Sequence, residues 1–264
     1  MDSLVNYIKS EIRPRDSTEF ICCDNFYIEI FERLKQDGMM VCNSPPPSTT
    51  KFCEFIKIGN KFLIKKCYKN LQWLEDDNKI SFDSTSEPIY RRLLPPPVET
   101  VDHPFIIKSV IEESNPRDKT YIEYGICSAR NLRVIIPIVH SSYGIDIQRQ
   151  PGIPQNFFFY NTTTDDFSET MLPKLEYHFA FIDADHKFEN SFRDFENLYR
   201  YIQPGGYIFL HDTYPCEINY LETNYCNDCY KTPIEIKKKY PGIELLTLPL
   251  NPGLTIVRKS RIGV

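Results

Sequence analysis

The sequence predicts an α/β fold in which helices cover both faces of a doubly wound, mostly parallel seven-stranded sheet. Two observations support this prediction. From residue 103 onward, short apolar segments of strand length alternate with amphipathic helical segments, as in parallel sheets that are buried on both faces. Several of these strands end in glycine, carboxylate or histidine residues, and open α/β sheets bind their ligands at the carboxyl ends of the strands.

Proline runs divide the chain into two predicted parts. Pro95-Pro96-Pro97 marks the boundary, since such runs end regular elements. Residues 1–97 form an accessory α+β segment and residues 98–264 the α/β domain. Within the accessory segment, partial alternation predicts a hairpin over residues 51–66, and residues 26–34 predict a helix.

The elements of the α/β domain follow from periodicity and turn signals. Short apolar runs predict strands at residues 120–124, 142–147, 157–160, 179–182, 207–210 and, as a closing pair, within 243–257. Helical periodicity predicts helices at residues 103–113, 188–202 and 233–239. These helices and strands alternate, so the domain is predicted to be built from strand-helix-strand units.

Titratable side chains follow two of the predicted strands directly. Asp183, Asp185 and His186 come after the strand at residues 179–182, and His211 and Asp212 come after the strand at residues 207–210. Because neighbouring parallel strands end at the same edge of a sheet, these five side chains are expected to lie on one rim.

A second set of candidate residues surrounds the end of the first strand. Gly125 opens a turn of small residues that passes into a helix, and such a turn lets a ligand approach the backbone closely. Asp146 ends the next strand, 146 − 125 = 21 residues later. That is about the spacing at which nucleotide-binding folds place an acidic residue on ribose hydroxyls.

Taken in order, these segments resemble a class I S-adenosylmethionine-dependent methyltransferase, which has a Rossmann-like fold. The matching motifs are E-x-G-x-x-x-A at 123–129, G-I-D at 144–146, F-I-D-A-D-H at 181–186, P-G-G at 204–206 and H-D at 211–212. Their combination is most similar to the macrocin- and mycinamicin-type small-molecule (sugar) O-methyltransferases. That family usually has glycine where this chain has Ala129, and a carboxylate where it has His211.

The resemblance implies a site for S-adenosyl-L-methionine. The cofactor-binding residues it implies are Glu123, Gly125, Ser128, Asp146, Ile147, Thr164, Asp165 and Asp183. Glu123 would meet the methionine amino group, and Asp146 would accept both ribose hydroxyls, because a carboxylate is a bidentate acceptor. Asp165 or its neighbour Asp166 would hold the adenine amino group, although a turn or cap role is an open alternative for both.

Methyl transfer to oxygen requires a group that removes or weakens the hydroxyl proton, and two devices are open. His186 can act as a general base near neutral pH, with Asp183 as the second catalytic residue. Alternatively, Asp183, His211 and Asp212 can bind Mg²⁺ or another divalent cation that lowers the pKa of the hydroxyl. The sequence leaves metal dependence undecided.

The expected function is therefore transfer of a methyl group to a hydroxyl of a small molecule, for example a sugar or nucleotide-sugar. Alternatives are a methyltransferase-like scaffold without turnover, or an RNA methyltransferase that docks through the lysine-rich hairpin. The net charge of −5 argues against a nucleic-acid partner. We expect a cytoplasmic protein with no membrane partner, because no apolar run approaches the length of a membrane span. Residues 1–97 could contribute a homodimer contact.

Overall fold

The structure, a computed structural model, describes residues 20–22, 39–43, 53–58, 60–66, 102–114, 119–149, 152–215, 221, 225–248 and 252–260. Its strands, in chain order, are β1 (Phe20–Cys22), β2 (Met39–Cys42), β3 (Cys53–Ile58), β4 (Lys61–Lys66), β5 (Thr120–Tyr124), β6 (Ser141–Asp146), β7 (Phe158–Asn161), β8 (Phe179–Ile182), β9 (Tyr207–His211), β10 (Glu244–Leu248) and β11 (Leu254–Arg258). Its α-helices are α1 (His103–Glu113), α2 (Arg130–Ile135), α3 (Thr164–Thr170), α4 (Phe188–Tyr201) and α5 (Lys231–Lys239). Short 3₁₀ turns follow α2 and α3, at Ile136–Ile138 and Leu172–Lys174.

All strands of the described residues belong to one mixed sheet, in the order β1-β2-β4-β3-β10-β11-β9-β8-β5-β6-β7. The block from β9 to β7 is parallel, and β11 lies antiparallel between β9 and β10. This architecture confirms the predicted α/β class. The seven predicted strands are β5 to β11 and are adjacent in the sheet, but the sheet does not end there. Four further strands continue it, so the described sheet has eleven strands rather than seven.

The parallel strands lie between two apolar layers, as their uninterrupted hydrophobic sequences require. Alternate residues of β5 face opposite sides, so Tyr121 packs with the helix α1 residue Ile107 while Ile122 packs with the helix α4 residue Phe195. Each fully buried side chain of this size contributes about 1.5–3 kcal/mol of hydrophobic stabilisation. The layers fix both neighbouring helices against the sheet and so fix the loops that emerge from its carboxyl edge.

The hairpin of β3 and β4 is joined to the closing strands by polar as well as apolar contacts. The buried carboxylate of Glu54 accepts a hydrogen bond from Thr247 N at 2.9 Å, and Lys237 Nζ lies 3.3 Å from its other oxygen. The hydroxyl of Tyr207 donates to Lys57 O at 2.6 Å. The predicted boundary at residues 95–97 and the predicted helix at 26–34 lie outside the described residues.

Most predicted element bounds agree with the structure to within about two residues, the usual uncertainty for such boundaries. Strands predicted at 142–147 and 157–160 are shifted by one residue, to Ser141–Asp146 and Phe158–Asn161. Helix α3 was not predicted, because its sequence TDDFSET reads as a polar turn. Within the described part of the chain, the helices are too short or too polar to serve as membrane spans.

Candidate functional site

The carboxyl ends of β8 and β9 bring four titratable side chains together. The two strands pair in parallel with Ile182 opposite Leu210, so the residues that follow them lie side by side. His211 Nδ1 lies 3.1 Å from Asp183 Oδ1 and 3.1 Å from Asp212 Oδ1. His186 Nδ1 lies 3.3 Å from Asp212 Oδ2, and its Nε2 lies 3.5 Å from Asp183 Oδ1. We refer to Asp183, His186, His211 and Asp212 as the acid–histidine cluster.

Asp185, the fifth residue of the predicted rim, turns away from the cluster. Its carboxylate accepts hydrogen bonds from Lys187 N at 3.0 Å and from Asn190 Nδ2 at 2.6 Å. It therefore closes the loop that enters α4, which is the local role that short acidic side chains commonly have in turns.

Mutual attraction within the cluster shifts the pKa of three of its members. A hydrogen bond to Asp183, opposed by burial and helped by the charge of Asp212, raises the pKa of His186 to about 9. Burial acts to lower the pKa of His211, but Asp183 and Asp212 outweigh it and raise that pKa to about 10. Burial likewise disfavours the charged form of Asp183, yet the two histidines lower its pKa to about 2. In the absence of ligands, Asp183 is thus ionised and both histidines are protonated near neutral pH.

Asp212 occupies a strained position in the cluster. Its backbone φ is +59°, in the left-handed region that residues other than glycine seldom adopt. Its carboxylate is buried, and Cys226 Sγ lies 3.5 Å from Oδ1. Strain of this kind persists only where the surrounding structure enforces it, and it concentrates at functional sites.

The loop before α5 closes one side of the cluster. The carbonyl oxygen of Tyr225 contacts Nδ1 of His186, and the Asp228 carboxylate accepts a 2.7 Å hydrogen bond from Phe188 N at the start of α4. Cys226 and Cys229 are both buried and are not joined in a disulfide.

His103 is a site residue that sequence reasoning missed. It is the first residue of α1, it is 7% exposed, and its Nδ1 lies 3.2 Å from His211 Nε2. The two rings meet edge to face with their centroids 4.4 Å apart. Burial, then the charge of His211, lowers the pKa of His103 to about 3, so its imidazole is neutral. No motif signals this contact, because a histidine that precedes Pro104 at a helix start resembles an ordinary boundary residue.

The donor set of the cluster suits a divalent cation. Among the described residues, Asp183, His186 and Asp212 each offer a ligand atom within 4.8 Å of the others, and carboxylate oxygen with imidazole nitrogen is a common set for such ions. The predicted set contained His211 in place of His186. His211 Nδ1 nevertheless lies 3.1 Å from an oxygen of each carboxylate, so both imidazoles contact both carboxylates.

Gly125 joins the first predicted loop to the cluster. A methyl group at this position would lie 2.1 Å from Asp183 O, and the residue has φ +78°. Its N–H donates to Ile145 O at 2.9 Å. The close approach of the Asp183 backbone therefore requires glycine at this position. The approach of a ligand to the same turn stays a prediction.

Asp146 lies at the predicted strand end, but its carboxylate is bound to the protein's own backbone. Oδ2 accepts from Ile126 N at 3.1 Å and Cys127 N at 3.2 Å, and Oδ1 accepts from Gln148 N at 2.9 Å. These contacts hold the turn after Gly125 against β6. The next side chain, Ile147, is 68% exposed, so an apolar surface lies directly beside the carboxylate.

The other predicted cofactor residues divide into buried and exposed groups. Glu123 is buried, it accepts a 2.6 Å hydrogen bond from the Tyr121 hydroxyl, and burial raises its pKa to about 8. Ser128 is exposed in the turn and Thr164 is half-buried at the start of α3.

The two aspartates considered for the adenine amino group both bind other side chains of the protein. Asp165 pairs with Arg193 at 2.8 Å. Asp166 binds the side chain of Thr163, whose oxygen caps α3, so the cap alternative holds for Asp166.

Ala129 replaces the glycine expected at the end of the turn, and its conformation explains the family preference. Its φ is +57° and the residue is completely buried. A left-handed conformation costs roughly 1–2 kcal/mol in a residue with a side chain. The chain tolerates that cost here because the following helix α2 begins at Arg130, and Ala129 O accepts the 3.1 Å hydrogen bond from Arg133 N.

Comparison with known families identifies the central part of the chain. Residues 125–213 match the family model described as a methyltransferase domain. This segment contains the turn at Gly125, Asp146 and the whole acid–histidine cluster. This segment is therefore similar to a methyltransferase domain, and the match supports methyl transfer as the class of reaction. No curated protein matches the sequence.

Several solved structures are similar to the chain at low identity. A protein from Corynebacterium glutamicum has 15% identity and a TM-score of 0.48, covering 68% of this chain and 94% of its own. An O-methyltransferase from Bacillus cereus, in complex with SAH, has 12% identity and a TM-score of 0.48, covering 64% and 86%. MycE methyltransferase of the mycinamycin biosynthetic pathway, in complex with Mg and SAH, has 14% identity and a TM-score of 0.43, covering 56% and 47%.

Proposed function

We propose that the protein is an S-adenosyl-L-methionine-dependent O-methyltransferase that acts on a hydroxyl group of a small molecule, for example a sugar or nucleotide-sugar. The observation that carries this proposal is the acid–histidine cluster. It places two carboxylates and two imidazoles within hydrogen-bonding distance of one another at the carboxyl edge of the sheet. Such a cluster can accept a proton from a hydroxyl and can hold a cation beside it.

The chemistry of the loop residues fits the cofactor. When bound, S-adenosyl-L-methionine supplies an electrophilic methyl group on a sulfonium centre. Asp146 offers two acceptor oxygens for the ribose hydroxyls, and the exposed side chain of Ile147 offers an apolar surface for the adenine ring. The backbone N–H groups of Ile126 and Cys127, which now bind Asp146, can separate from it as the turn adjusts to the cofactor.

We assign the proton-accepting role to His186. Its imidazole is 30% exposed, whereas the side chain of Asp212 beside it is 7% exposed, so His186 is the better placed of the two to meet an acceptor molecule. Asp183 orients it through the contact to Nε2. The raised pKa shows that His186 holds a proton near neutral pH in the ligand-free protein. It must lose that proton before it can act as a base.

A divalent cation is the second element of the proposal, with Asp183, Asp212 and a histidine as its ligands. When bound, it would lower the pKa of a hydroxyl coordinated beside the carboxylates. Cation binding releases protons from the groups that share its site, so His186 is expected to become unprotonated at lower pH when the carboxylates are occupied. The histidine nitrogen favours manganese or zinc over magnesium.

The cofactor assignment is tested by calorimetric titration of S-adenosyl-L-methionine and its demethylated product into the folded protein. We expect saturable binding of both. An absence of binding by protein that is folded by circular dichroism would refute the proposed function.

The role of His186 is tested with His186→Ala and methyl-labelled cofactor, using a panel of sugars and nucleotide-sugars as acceptors. We expect turnover to fall by about 10²–10⁴-fold and the affinity for the cofactor to stay close to that of the wild type. His140→Ala is a matched control, because His140 is exposed and lies outside the site. Equal losses of turnover and cofactor affinity would contradict the assignment of the base.

A further inference from the structure

His103 reaches the acid–histidine cluster from outside the matched methyltransferase domain. The match begins at residue 125, yet His103 Nδ1 lies 3.2 Å from Nε2 of His211. The other nitrogen of His211, Nδ1, lies 3.1 Å from an oxygen of each carboxylate, Asp183 and Asp212. The imidazole of His211 is thus held at both ends, by carboxylates on one side and by a histidine on the other.

The contacts of His211 determine which of its two ring nitrogens donates the hydrogen bond to His103. Nδ1 of His211 faces the two carboxylates. When that nitrogen binds a cation, the ring hydrogen is on Nε2, and it donates to Nδ1 of His103, which lies 3.2 Å away. The remaining hydrogen of His103 is then on Nε2, a buried atom for which the described part of the chain supplies no partner. Leaving a buried donor unpaired is unfavourable, so this arrangement calls for a functional explanation.

The same arrangement is typical of a histidine that binds a cation. Such a histidine donates its second N–H to a fixed acceptor, which sets the tautomer and orients the ring. In His211 the second N–H is on Nε2 and the acceptor is His103. Nδ1 is the nitrogen left to bind a cation, and it already faces the two carboxylates.

We propose that His103 is a positioning residue that fixes His211 with Nε2–H directed away from the carboxylates and Nδ1 directed toward them, so that His211 is the nitrogen ligand of a divalent cation shared with Asp183 and Asp212. The cation part rests on the proposed function. The inference makes His211 the nitrogen ligand of the cation and leaves His186 to act on the hydroxyl of the acceptor molecule.

The start of α1 is built to keep His103 in place. Pro104 follows it directly, and the carbonyl of Asp102 accepts hydrogen bonds from Phe105 N at 3.0 Å and Ile106 N at 3.3 Å. The Asp102 side chain also pairs with Arg130 at 3.1 Å, which ties the start of α1 to the start of α2. A histidine on so constrained a turn has little freedom to follow His211 if that ring moves.

Two substitutions separate the hydrogen bond from the packing. His103→Asn keeps an acceptor oxygen close to the position of Nδ1, whereas His103→Leu fills the same space without an acceptor. Ser109→Ala on the same helix is the matched control, because it removes a buried side-chain hydrogen bond, to Phe105 O at 2.8 Å, that has no contact with the cluster.

The first measurement is binding of Mn²⁺ alone to cofactor-free protein, by calorimetry and electron paramagnetic resonance. We expect His103→Leu to weaken Mn²⁺ affinity about 10–100-fold, with His103→Asn and Ser109→Ala close to the wild type. The second measurement is the imidazole ¹⁵N spectrum, in which the exchange-protected Nε2–H of His211 should persist in His103→Asn and disappear in His103→Leu.

Equal Mn²⁺ affinity in His103→Leu and wild type, or an unchanged Nε2–H signal in His103→Leu, would overturn the proposal. So would a wild-type protein that does not bind Mn²⁺. Methyl transfer is measured on the same preparations in the presence of a chelator. This measurement distinguishes a protein that merely does not bind Mn²⁺ from one that lacks the proposed function. Turnover that persists without a cation would leave the O-methyltransferase assignment standing.

Discussion

The two halves of the carboxyl edge of the sheet differ in how their polar side chains are used. At β8 and β9, the carboxylates and imidazoles of the acid–histidine cluster contact one another, and the pKa values of Asp183, His186 and His211 are strongly shifted. At β5 and β6, the carboxylate of Asp146 is bound by three backbone N–H groups. Glu123 is buried and accepts a hydrogen bond from the Tyr121 hydroxyl.

The difference shows which kind of site each half can form. Side chains that meet across two strand ends are held by the sheet, so the cluster is assembled before any ligand arrives. Under the proposed function, Asp146 would exchange its contacts to the turn for contacts to the cofactor, so the loop half would have to adjust. Gly125 connects the two halves, because its Cα lies against the backbone of Asp183.

The largest expected effect comes from removing one of the two carboxylates that both histidines contact. Asp183→Asn should lower turnover by about 10²–10⁴-fold, since it removes the partner that orients His186 and His211. Turnover with labelled cofactor measures this. Asp185→Asn is the control, because within the described ranges the hydrogen bonds to that carboxylate come from its own loop and the start of α4. Comparable losses of turnover in Asp183→Asn and Asp185→Asn would show that the carboxylate in the cluster matters no more than the one in the loop.

Gly125→Ala should destabilise the fold by about 2–5 kcal/mol, from the left-handed φ together with a methyl group placed 2.1 Å from Asp183 O. Gly152→Ala provides a control with a similar φ of +76° and no atom within 4 Å of the added methyl. It should cost only about 1–2 kcal/mol. Urea unfolding of both variants measures the difference, and equal losses would show that the two halves are not in close contact.

The ion pairs of the cluster should make stability depend on pH. The pKa of His186 is about 9 when folded, against 6.5 for an unperturbed histidine. The folded protein therefore holds the proton more tightly, and the resulting stabilisation is complete below about pH 6.5 and is lost as the pH rises toward 9. The contribution of His186 to the free energy of unfolding in chelator should fall by roughly 2–3 kcal/mol over that range. His211, whose pKa is raised to about 10, should add to the fall. If the free energy of unfolding depended on pH in the same way in the wild type and in His186→Gln, the ion-pair assignment would be contradicted.

The smallest effect is expected in the loop half. Asp146→Ala should weaken cofactor binding about tenfold, which is 1.4 kcal/mol, because it removes acceptors for the ribose and releases the turn at Ile126 and Cys127. Calorimetry measures this loss. Asp166→Ala is the comparison, since its side chain binds Thr163 within the helix cap. If Asp166→Ala lost affinity for the cofactor and Asp146→Ala did not, the nucleotide would not bind at the end of β6.

The sequence predicted the elements of the α/β domain well because its strands are buried on both faces and leave uninterrupted apolar runs. It also predicted that Asp183, His186, His211 and Asp212 meet, since parallel neighbours end at one edge. It did not predict that Asp185 turns away, because orientation within a loop depends on local donors such as Lys187 N.

The contact between His103 and the cluster, and the pairing of the predicted hairpin with β10, were beyond the reach of sequence patterns for another reason. Their contacts join residues far apart along the chain, as between His103 and His211 or between Glu54 and Thr247. Periodicity and motif spacing report on local structure and on the order of elements, whereas these contacts arise only when the sheet is assembled. The count of seven strands was incomplete because alternation in residues 51–66 indicates a hairpin but not the strand that it pairs with.

The pairing of β3 with β10 has a practical consequence for anyone who prepares this protein. A fragment that begins near residue 98 would lack Glu54, and the backbone N–H of Thr247 would lose its acceptor. It would also present β10 as an open sheet edge, and such edges recruit strands from other molecules. Expression of the shortened chain should therefore yield aggregates, and soluble material for crystallisation or assay should require that the amino-terminal hairpin be retained.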